Sequence, residues 1–405
     1  MQNTIHIIGV DHHGLTSEHR QLIDHCGLLV GGKRLLSLAG DCSIPRTEIT
    51  PLQSAFATIK NELKENSIAV LASGDPLFFG IGRRLIAEFG SENIRIQPAL
   101  SSVQEACAHF KIPWDDANLL TLHGRKQRHL PGLFLEAKKS IVLTDPANSP
   151  DILATGILHY LQAINANNLI KSCRVLVAEN LGSEKERIFS GSLQEAAEHH
   201  FADLNIFCLL HEGKQGHSSF GLTEKEIHHS RGLITKNEVR AITLHKLQLP
   251  RNGVLWDVGG GSGSISIEAA TIHPRMIIYT IEHKVEELEN IKKNIRYHGC
   301  YNIIPVAGLA PKALLDLPAP DRIFIGGSGG NLAQIIQLAY ERLPQNGRLV
   351  INGVIEKTIT EAPFFLKEHG FTIEQSRIQI TRTEQNGEET VLNPIHIFAG
   401  EKLST

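Results

Sequence analysis

The sequence predicts two α/β domains joined by a short polar segment. The chain has 405 residues, which is too long for one ordinary domain and sufficient for two of roughly 200 residues each. In both halves short apolar runs alternate with amphipathic helical stretches, as is typical of α/β folds. Residues 211–231 are rich in Gly, Ser and His and lack a sustained apolar period. We therefore predict domains over 1–212 and 232–405, with a linker over 213–231.

The first half contains six apolar runs that are short enough to be strands. They are separated by helical patterns, of which the clearest are residues 52–64 and 80–89. This alternation predicts a largely parallel sheet. The runs cover residues 4–9, 68–72, 94–96, 140–143, 174–178 and 205–210.

The second half contains seven such runs, and helical patterns separate the first five. The helical stretch 284–297 has apolar residues at spacings of three and four. Only the polar stretch TEQNGEET separates the last two runs, which predicts a terminal antiparallel hairpin beside five parallel strands. That is the Rossmann-like topology of seven-stranded, class I methyltransferases. The runs cover residues 254–258, 276–282, 303–306, 322–325, 348–352, 373–381 and 394–399.

The composition is that of a soluble globular protein. Hydrophobic residues make up 41% of the chain and charged residues 20%, which is sufficient for buried cores. The formal net charge is −3 without a long block of like charge, which argues against a nucleic-acid or anionic membrane partner. The six cysteines are scattered and form no C-x-x-C pair, so we expect neither disulfides nor a thiolate zinc site and favour a cytoplasmic location.

Targeting and metal-binding signals are absent from the sequence. The apolar run 5–10 has no basic region before it, and no run of 18 apolar residues occurs, so we expect no export signal and no membrane segment. The 21 histidines include the pairs His12–His13, His199–His200 and His228–His229. Adjacent side chains diverge on a strand or helix, and H-E-x-x-H does not occur, so we predict no metal site.

The sharpest motif is DVGGGSGSISIE, which covers residues 257–268 between an apolar strand and a helix pattern. Glycines let such a loop turn tightly and approach a ligand. A carboxylate at the end of the next strand, here Glu282, can accept hydrogen bonds from both ribose hydroxyls of an adenosine. Asp257 and the loop amides could hold a methionine ammonium and carboxylate. The candidate cofactor contacts are Asp257, Gly259, Gly260, Gly261, Ser262, Gly263 and Glu282.

Glycine-rich loops also bind nicotinamide dinucleotides, so an NAD-dependent oxidoreductase is the main alternative. The dinucleotide fingerprint G-x-G-x-x-G requires a third glycine where this chain has Ser264. G-x-G-x-G with an aspartate two residues ahead of it is instead the form found in methyltransferases. The loop therefore favours S-adenosylmethionine over NAD.

With that loop in place, the second domain resembles the decarboxylating cobalt-precorrin C15-methyltransferases of cobalamin biosynthesis. The resemblance covers nearly all of residues 230–402. It rests on LITKNEVRA (233–241), LWDVGGGSGSISIE (255–268), VAGLAP (306–311), FIGGSGG (324–330), LVINGV (349–354) and NPIHIF (393–398).

The first domain resembles the tetrapyrrole methylases, in particular their C5-methylating branch, whose fold is of the class III methyltransferase type. One segment departs from that family: its G-x-G-P-G loop after the first strand is replaced by GVDHHG, residues 9–14. The resemblance rests on VGGKRLL (30–36), LASGDPLFFGIG (71–82), PALSSVQEA (98–106), IPWDDANLLTLHGR (112–125), LTDPANSP (143–150) and AENLGSEKERI (178–188).

Together the two resemblances imply a fused, bifunctional methyltransferase of corrin biosynthesis. The implied substrate is a precorrin-6B or cobalt-precorrin tetrapyrrole, methylated at C5 by the first domain and at C15 by the second, which also removes the C12 acetate carboxylate. One S-adenosylmethionine site per domain and a homo-oligomeric state are implied as well. A non-catalytic tetrapyrrole-binding protein is a further alternative.

The resemblances also suggest residues for each role. Further cofactor contacts would be Gly74, Asp75, Pro76, Ser101 and Ser102 in the first domain, and Thr235, Gly308 and Ala310 in the second. Donors suited to a substrate rich in carboxylates are Lys33, Arg34, His123, Arg125, Lys236 and Arg240. Candidates for proton transfer are Asn352, Glu356, Arg240, Asp75 and His123.

Overall fold

The computed structural model describes residues 3–40, 42–122, 129–213, 220–230, 232 and 234–403. In these ranges the chain forms three β-sheets flanked by helices, and one small two-stranded sheet. Two five-stranded sheets lie before the polar segment, and a seven-stranded sheet follows it. The α/β class predicted for both halves is confirmed.

The first sheet is wholly parallel, as predicted. Its elements in chain order are β1 (Ile5–Val10), α1 (Ser17–Asp24), β2 (Leu28–Gly31), α2 (Lys33–Leu38), β3 (Arg46–Glu48), α3 (Leu52–Glu62), β4 (Ile68–Ser73), α4 (Gly82–Phe89) and β5 (Ile94–Gln97). The strand order is β3-β2-β4-β1-β5. Neighbouring residues on β1 belong to different core clusters: Ile7 packs on one face of the sheet and Ile8 on the other. Burial on both faces is characteristic of a parallel sheet covered by helices.

The second sheet is mixed, so the prediction of a largely parallel sheet is wrong for this part of the chain. Among its strand pairs only β6 and β7 run parallel; β7–β10, β10–β8 and β8–β9 are antiparallel. Apolar runs do not encode strand direction, and the short connection between β8 and β9 allows antiparallel pairing. The elements are α5 (Ser102–Phe110), β6 (Asn118–Thr121), α6 (Leu130–Phe134), β7 (Lys139–Leu143), α7 (Pro150–Ala163), α8 (Asn167–Ser172), β8 (Arg174–Glu179), β9 (Arg187–Gly191), α9 (Leu193–Ala197) and β10 (Asn205–Leu210).

The seven-stranded sheet has the predicted topology. Its elements are α10 (Asn237–Leu247), β11 (Gly253–Val258), α11 (Ser264–Ile272), β12 (Met276–Glu282), α12 (Val285–His298), β13 (Ile303–Ala307), β14 (Arg322–Ile325), α13 (Leu332–Arg342), β15 (Arg348–Gly353), α14 (Glu356–Glu368), β16 (Thr372–Ile378), β17 (Thr381–Thr383), β18 (Glu389–Val391) and β19 (Ile395–Glu401). The order is β13-β12-β11-β14-β15-β19-β16, with five parallel strands and an antiparallel β16–β19 hairpin.

The hairpin carries an extension that the sequence patterns did not predict. The run 373–381 is not one strand, because β16 ends at Ile378 and β17 pairs with β18 in a separate two-stranded ribbon. Arg382 on this ribbon donates hydrogen bonds to Glu238 and Glu224, both at 2.7 Å. The ribbon is thereby held against the start of α10.

The two halves share a continuous apolar core. One cluster of buried side chains includes Leu161 and Ile164 of the first half together with Tyr301 and Ile303 of the second. The Tyr160 hydroxyl, on α7, donates a hydrogen bond of 2.9 Å to the Ile303 carbonyl. Among the described residues, no helix is long and apolar enough to cross a membrane.

Candidate active sites

The glycine loop of the second half crosses a second glycine-rich loop at very short range. The first of these loops connects β11 to α11, and its Gly259 adopts a φ of +68°. A Cβ atom on Gly259 would lie 2.4 Å from the Gly327 carbonyl oxygen and 2.6 Å from its nitrogen. Only glycine therefore allows these two loops, which follow the neighbouring strands β11 and β14, to meet.

Glu282 fixes the shape of this loop. Its Oε2 atom accepts a hydrogen bond of 3.0 Å from the Gly261 amide. Its Oε1 atom accepts bonds of 2.8 and 2.9 Å from the amides of His283 and Lys284. An ionised carboxylate has about four acceptor positions, so Oε2 retains capacity for a further donor. The predicted position at the end of β12 is observed, with Glu282 only 5% exposed.

Two cavities flank the glycine loop, and Gly259 and Gly261 line both. The smaller cavity, of about 340 Å³, brings together the predicted residues Glu282, Gly308 and Ala310. The larger, of about 490 Å³, is lined by the predicted residues Thr235, Lys236, Gly260, Ser262 and Asn352, and by Ile380 and Leu392 at the base of the ribbon. The larger cavity is also lined by residues of the terminal hairpin, whereas the smaller is not. Gly263 lines neither cavity, because it forms the N-cap of α11.

Asp257 lies behind the glycine loop and lines neither cavity. It is fully buried, and its Oδ2 atom accepts a hydrogen bond of 2.5 Å from the Ser266 hydroxyl. The Oδ1 atom has no hydrogen-bond partner among the described residues. Desolvation by burial raises the pKa of this carboxyl from 3.8 to about 6. Asp257 therefore keeps an unpaired acceptor buried directly behind the loop.

Asp257→Asn is expected to remove part of the pH dependence of folding. Because the pKa of Asp257 in the folded chain lies above its ordinary value, folding favours the protonated form, and this contribution is lost as the pH rises towards 6. The quantity to compare is the free energy of unfolding of the variant minus that of the wild type. This difference should be about 1 kcal/mol larger at about pH 7.5 than at about pH 5. Urea unfolding followed by fluorescence of the buried Trp256 in β11 measures it. A difference that does not change with pH would contradict a raised pKa.

Arg240 is not placed to touch a substrate. It is 1% exposed, and its Nε atom donates a 2.9 Å hydrogen bond to Glu268, which is 2% exposed. Its other nitrogens donate to the carbonyls of Thr235 and Leu222. It lines neither cavity next to the glycine loop. The structure therefore gives the guanidinium a role in holding Leu222, Thr235 and Glu268 together, in place of the predicted contact with substrate.

The other candidates in the second half are placed differently from one another. Lys236 lines the larger cavity while its ammonium pairs with Glu224 at 2.6 Å. Asn352 lines the same cavity, and its amide is hydrogen-bonded to the Thr243 hydroxyl. Glu356 is exposed at the start of α14 and lines neither cavity, as expected of a solvated helix residue.

The first half has its own cleft, of about 180 Å³, between its two sheets. The carboxyl ends of β1 and β4 line one side of it, and β10 with the end of β8 lines the other. The predicted residues Arg34, Gly74 and Ser102 line this cleft. Arg34 also donates a 3.1 Å hydrogen bond to the Ser73 hydroxyl. A cleft at the carboxyl edge of a parallel sheet is the usual ligand site of α/β folds.

The remaining first-half candidates support the local backbone. Asp75 accepts a hydrogen bond of 2.8 Å from the Leu77 amide, which closes a turn around Pro76. Ser101 caps α5 in a capping box with Gln104, and Lys33 is exposed. None of these four side chains lines the cleft. His123 and Arg125 lie outside the described residues.

Several residues that line the cavities were missed by sequence reasoning. In the first-half cleft these include His12 and Glu105, which are hydrogen-bonded to each other. In the smaller second-half cavity they are His283, Lys284, Glu287 and Ser328. His283 and Lys284 directly follow Glu282, and Ser328 lies in FIGGSGG, so their position after β12 and β14 was a usable signal. Within the described residues no group of three or more His, Cys, Asp or Glu side chains could hold a metal ion.

Comparisons with known proteins match both halves. A family model described as tetrapyrrole (corrin/porphyrin) methylases matches residues 5–197, and one described as a precorrin methyltransferase domain matches residues 226–399. A Sinorhizobium protein named precorrin-6Y C(5,15)-methyltransferase (decarboxylating) is 33% identical over 375 residues, which cover 91% of this chain and 87% of that protein.

Other relatives match less than half of the chain. A Pyrobaculum calidifontis protein named probable cobalt-precorrin-6B C(15)-methyltransferase (decarboxylating) is 39% identical over 170 residues, covering 41% of this chain and 87% of its own length. The crystal structure of a precorrin-6Y C5,15-methyltransferase from Geobacter metallireducens GS-15 is 39% identical, covers 45% of this chain and 97% of its own, and has a TM-score of 0.44.

Proposed function

Because the chain belongs to the precorrin-6Y C5,15-methyltransferase (decarboxylating) family, we propose that it methylates C5 and C15 of a precorrin-type tetrapyrrole and decarboxylates its C12 acetate. The observation that carries this proposal is a relative of that name that is similar along 91% of the chain, across both clefts. Neither an NAD-dependent oxidoreductase nor a non-catalytic carrier is supported by the comparisons. The methyl donor in both reactions is S-adenosylmethionine.

The division of labour follows the two matched segments. Residues 1–212 carry out C5 methylation, and residues 232–405 carry out C15 methylation with decarboxylation. The separate family matches over 5–197 and 226–399 support this division. A relative named for C(15) methylation alone is similar over 41% of this chain and 87% of its own length, which is what a single-domain enzyme for that step would show.

The second-half site suits the methyl donor in three respects. Glu282 has acceptor capacity left for ribose hydroxyls and lines the smaller cavity, next to the glycine loop. The unpaired Oδ1 atom of buried Asp257 can balance a positive charge held by the loop. Gly259 lets the loops after β11 and β14 meet, and it lines both cavities where they do. When bound, S-adenosylmethionine supplies an electrophilic methyl group attached to a sulfonium.

The residues of this chain then bind, orient and exclude water. Transfer of an activated methyl group to carbon needs mainly alignment and a dry site. Thr235, Lys236 and Asn352 line the larger cavity, on the other side of the glycine loop, where a macrocycle could meet the donor. Lys236 offers a cation to a substrate carboxylate in exchange for Glu224. In the first half, Arg34 and Ser102 offer donors at the cleft.

The direct test is incubation of the full-length chain with precorrin-6B, or its cobalt form, and S-adenosylmethionine. Mass spectrometry should show two added methyl groups and one lost carbon dioxide per macrocycle, and calorimetry should show two donor sites per chain. Glu282→Gln should remove C15 methylation and decarboxylation while C5 methylation persists. The proposal would be overturned by binding of a nicotinamide nucleotide in place of the methyl donor, or by a substrate recovered without added methyl groups.

A further inference from the structure

A histidine–carboxylate pair lies in the first-half cleft, formed by residues that are far apart in sequence. The Nδ1 atom of His12 lies 2.7 Å from Oε1 of Glu105. An ionised carboxylate can only accept, so Nδ1 carries the hydrogen and Nε2 keeps its lone pair. In the described part of the chain Nε2 has no hydrogen-bond partner. Glu105 thereby fixes both the tautomer and the orientation of the ring.

Both side chains line the cleft where the proposed C5 methylation takes place. They lie beside Asp11, Arg34 and Ser102, with the side chains of His12 and Glu105 32% and 12% exposed. His12 belongs to GVDHHG, directly after β1, so it stands at the carboxyl edge of the parallel sheet. An imidazole held in one tautomer at such an edge is arranged for proton transfer.

The surrounding backbone is built around His12. The Asp11 carboxylate accepts a 2.9 Å hydrogen bond from the His13 amide, and the Gly14 amide donates one of 3.1 Å to the Asp11 carbonyl, which closes the turn. From the other side, the loop after β8 reaches His12 through Gly182, whose φ is +72°. A Cβ on Gly182 would lie 2.0 Å from Cβ of His12, so a larger residue would displace the histidine.

Methylation of a meso carbon requires a proton acceptor. The electron pair of C5 forms the new bond to the methyl carbon, and the carbon–sulfur bond breaks with its electrons retained by sulfur. The C5–H bond must then release a proton, while its electron pair returns to the conjugated macrocycle. The step balances without an oxidant or reductant, provided that a base takes up the proton.

We propose that His12 is that base, accepting the C5 proton at Nε2, and that Glu105 is the positioning residue that orients it. This inference rests on the proposed function. The imidazolium that forms is stabilised by the Glu105 carboxylate, as in other histidine–carboxylate pairs. A base supplied by the GVDHHG turn also gives a role to the segment in which this chain departs from the tetrapyrrole methylase pattern.

The proposal predicts a specific pH profile. The hydrogen bond to Glu105 raises the pKa of His12, and the charges of Asp11 and Glu186 act in the same direction. Activity should be lost as the pH falls through this raised pKa, because the protonated ring cannot accept a proton. Two other charged groups line the cleft with it, Arg34 of α2 and Asp203 before β10. The ring centroid of His13 lies 3.8 Å from that of His12, and Glu186 itself pairs with His109 of α5 at 3.4 Å.

The test uses the full-length chain and donor labelled with carbon-13 in its methyl group, so that NMR resolves the C5 and C15 products in one reaction. His12→Asn should lower kcat for C5 methylation by about 100-fold or more. C15 methylation and donor affinity should change by less than about threefold. His159→Asn, at an exposed histidine of α7 that does not line the cleft, is the matched control and should retain both activities. Glu105→Gln should lower the rate of C5 methylation by less than His12→Asn does. It should also shift the acidic side of the pH–rate profile to lower pH.

The outcomes separate this inference from the function on which it rests. A wild-type chain that never methylates C5 would overturn the proposed function itself. A wild-type chain that does so, with His12→Asn reacting within about threefold of it, would overturn the role of His12 alone. If His12→Asn were inactive but Glu105→Gln left the acidic side of the pH–rate profile unmoved, the pair would not act as the base, and its role would be structural.

Discussion

Gly259→Ala is expected to abolish C15 methylation and decarboxylation and to leave C5 methylation intact. A methyl group at this position would overlap the Gly327 backbone at 2.4 to 2.6 Å, and backbone atoms cannot turn away as a flexible side chain can. The positive φ adds about 1–2 kcal/mol of strain. The loops after β11 and β14 would have to separate, which alters the cavity that Glu282 lines. We expect the C15 rate to fall by at least about 100-fold.

Gly330→Ala is the matched control for this variant. Gly330 lies with Gly327 in the loop after β14 and has a φ of +89°, but a Cβ there would meet no atom of the described residues within 4 Å. It should carry the conformational cost without the steric overlap and retain C15 activity within about threefold. Mass spectrometry of the macrocycle and calorimetry of donor binding measure both variants. Wild-type C15 rates in Gly259→Ala would show that the close crossing of the loops is dispensable.

Arg240→Met is expected to destabilise the second half strongly, because it leaves the Glu268 carboxylate buried without its partner. Removing one member of a buried ion pair costs about 3–5 kcal/mol. Met has a similar length and fills the space with apolar atoms. Urea unfolding followed by the fluorescence of Trp256 measures the loss of stability. The chain's other tryptophan, Trp114, is exposed, and Trp114→Phe in the background removes its fluorescence from the signal.

The double variant Arg240→Met with Glu268→Met tests the cause. Replacing both charges by apolar groups should recover more than half of the lost free energy of unfolding. Full recovery is not expected, because the carbonyls of Thr235 and Leu222 also lose a donor. If the double variant is as unstable as Arg240→Met alone, the destabilisation does not come from the unpaired Glu268, and the buried ion pair is not what Arg240 provides.

The second-half site was largely predictable because its parts follow one another along the chain. Strand, glycine loop, helix, strand and Glu282 occur in an order that fixes where the parallel strands end, so one sheet edge collects them. Asp257 was found by the same motif, but its depth behind the loop depends on the packing of Ser266 and Thr280, which the motif does not encode. Its predicted contact with the cofactor stays a prediction.

Long-range pairings were not predictable from the sequence. His12 and Glu105 meet across 93 residues because α5 packs against the loop after β1, and no local pattern specifies that contact. Arg240 was interpreted as a substrate anchor because its cation suits a substrate rich in carboxylates, whereas its partner is Glu268 on the adjacent helix α11. The antiparallel strands of the second sheet were missed for the same reason, because an apolar run does not encode which strands it pairs with or in which direction.

The two halves of the enzyme are joined by the hydrogen bond from Tyr160 to Ile303 and by the apolar cluster around it. These contacts determine what happens when the halves are separated. Cleavage in the polar segment 213–231 would yield two fragments. Each fragment would expose to solvent some side chains that are buried in the intact chain. The Tyr160 hydroxyl would lose its acceptor on one fragment, the Ile303 carbonyl would lose its donor on the other, and the apolar cluster that spans both halves would be divided. Produced alone, each fragment is expected to be less soluble than the fusion and to adhere to the other when the two are mixed.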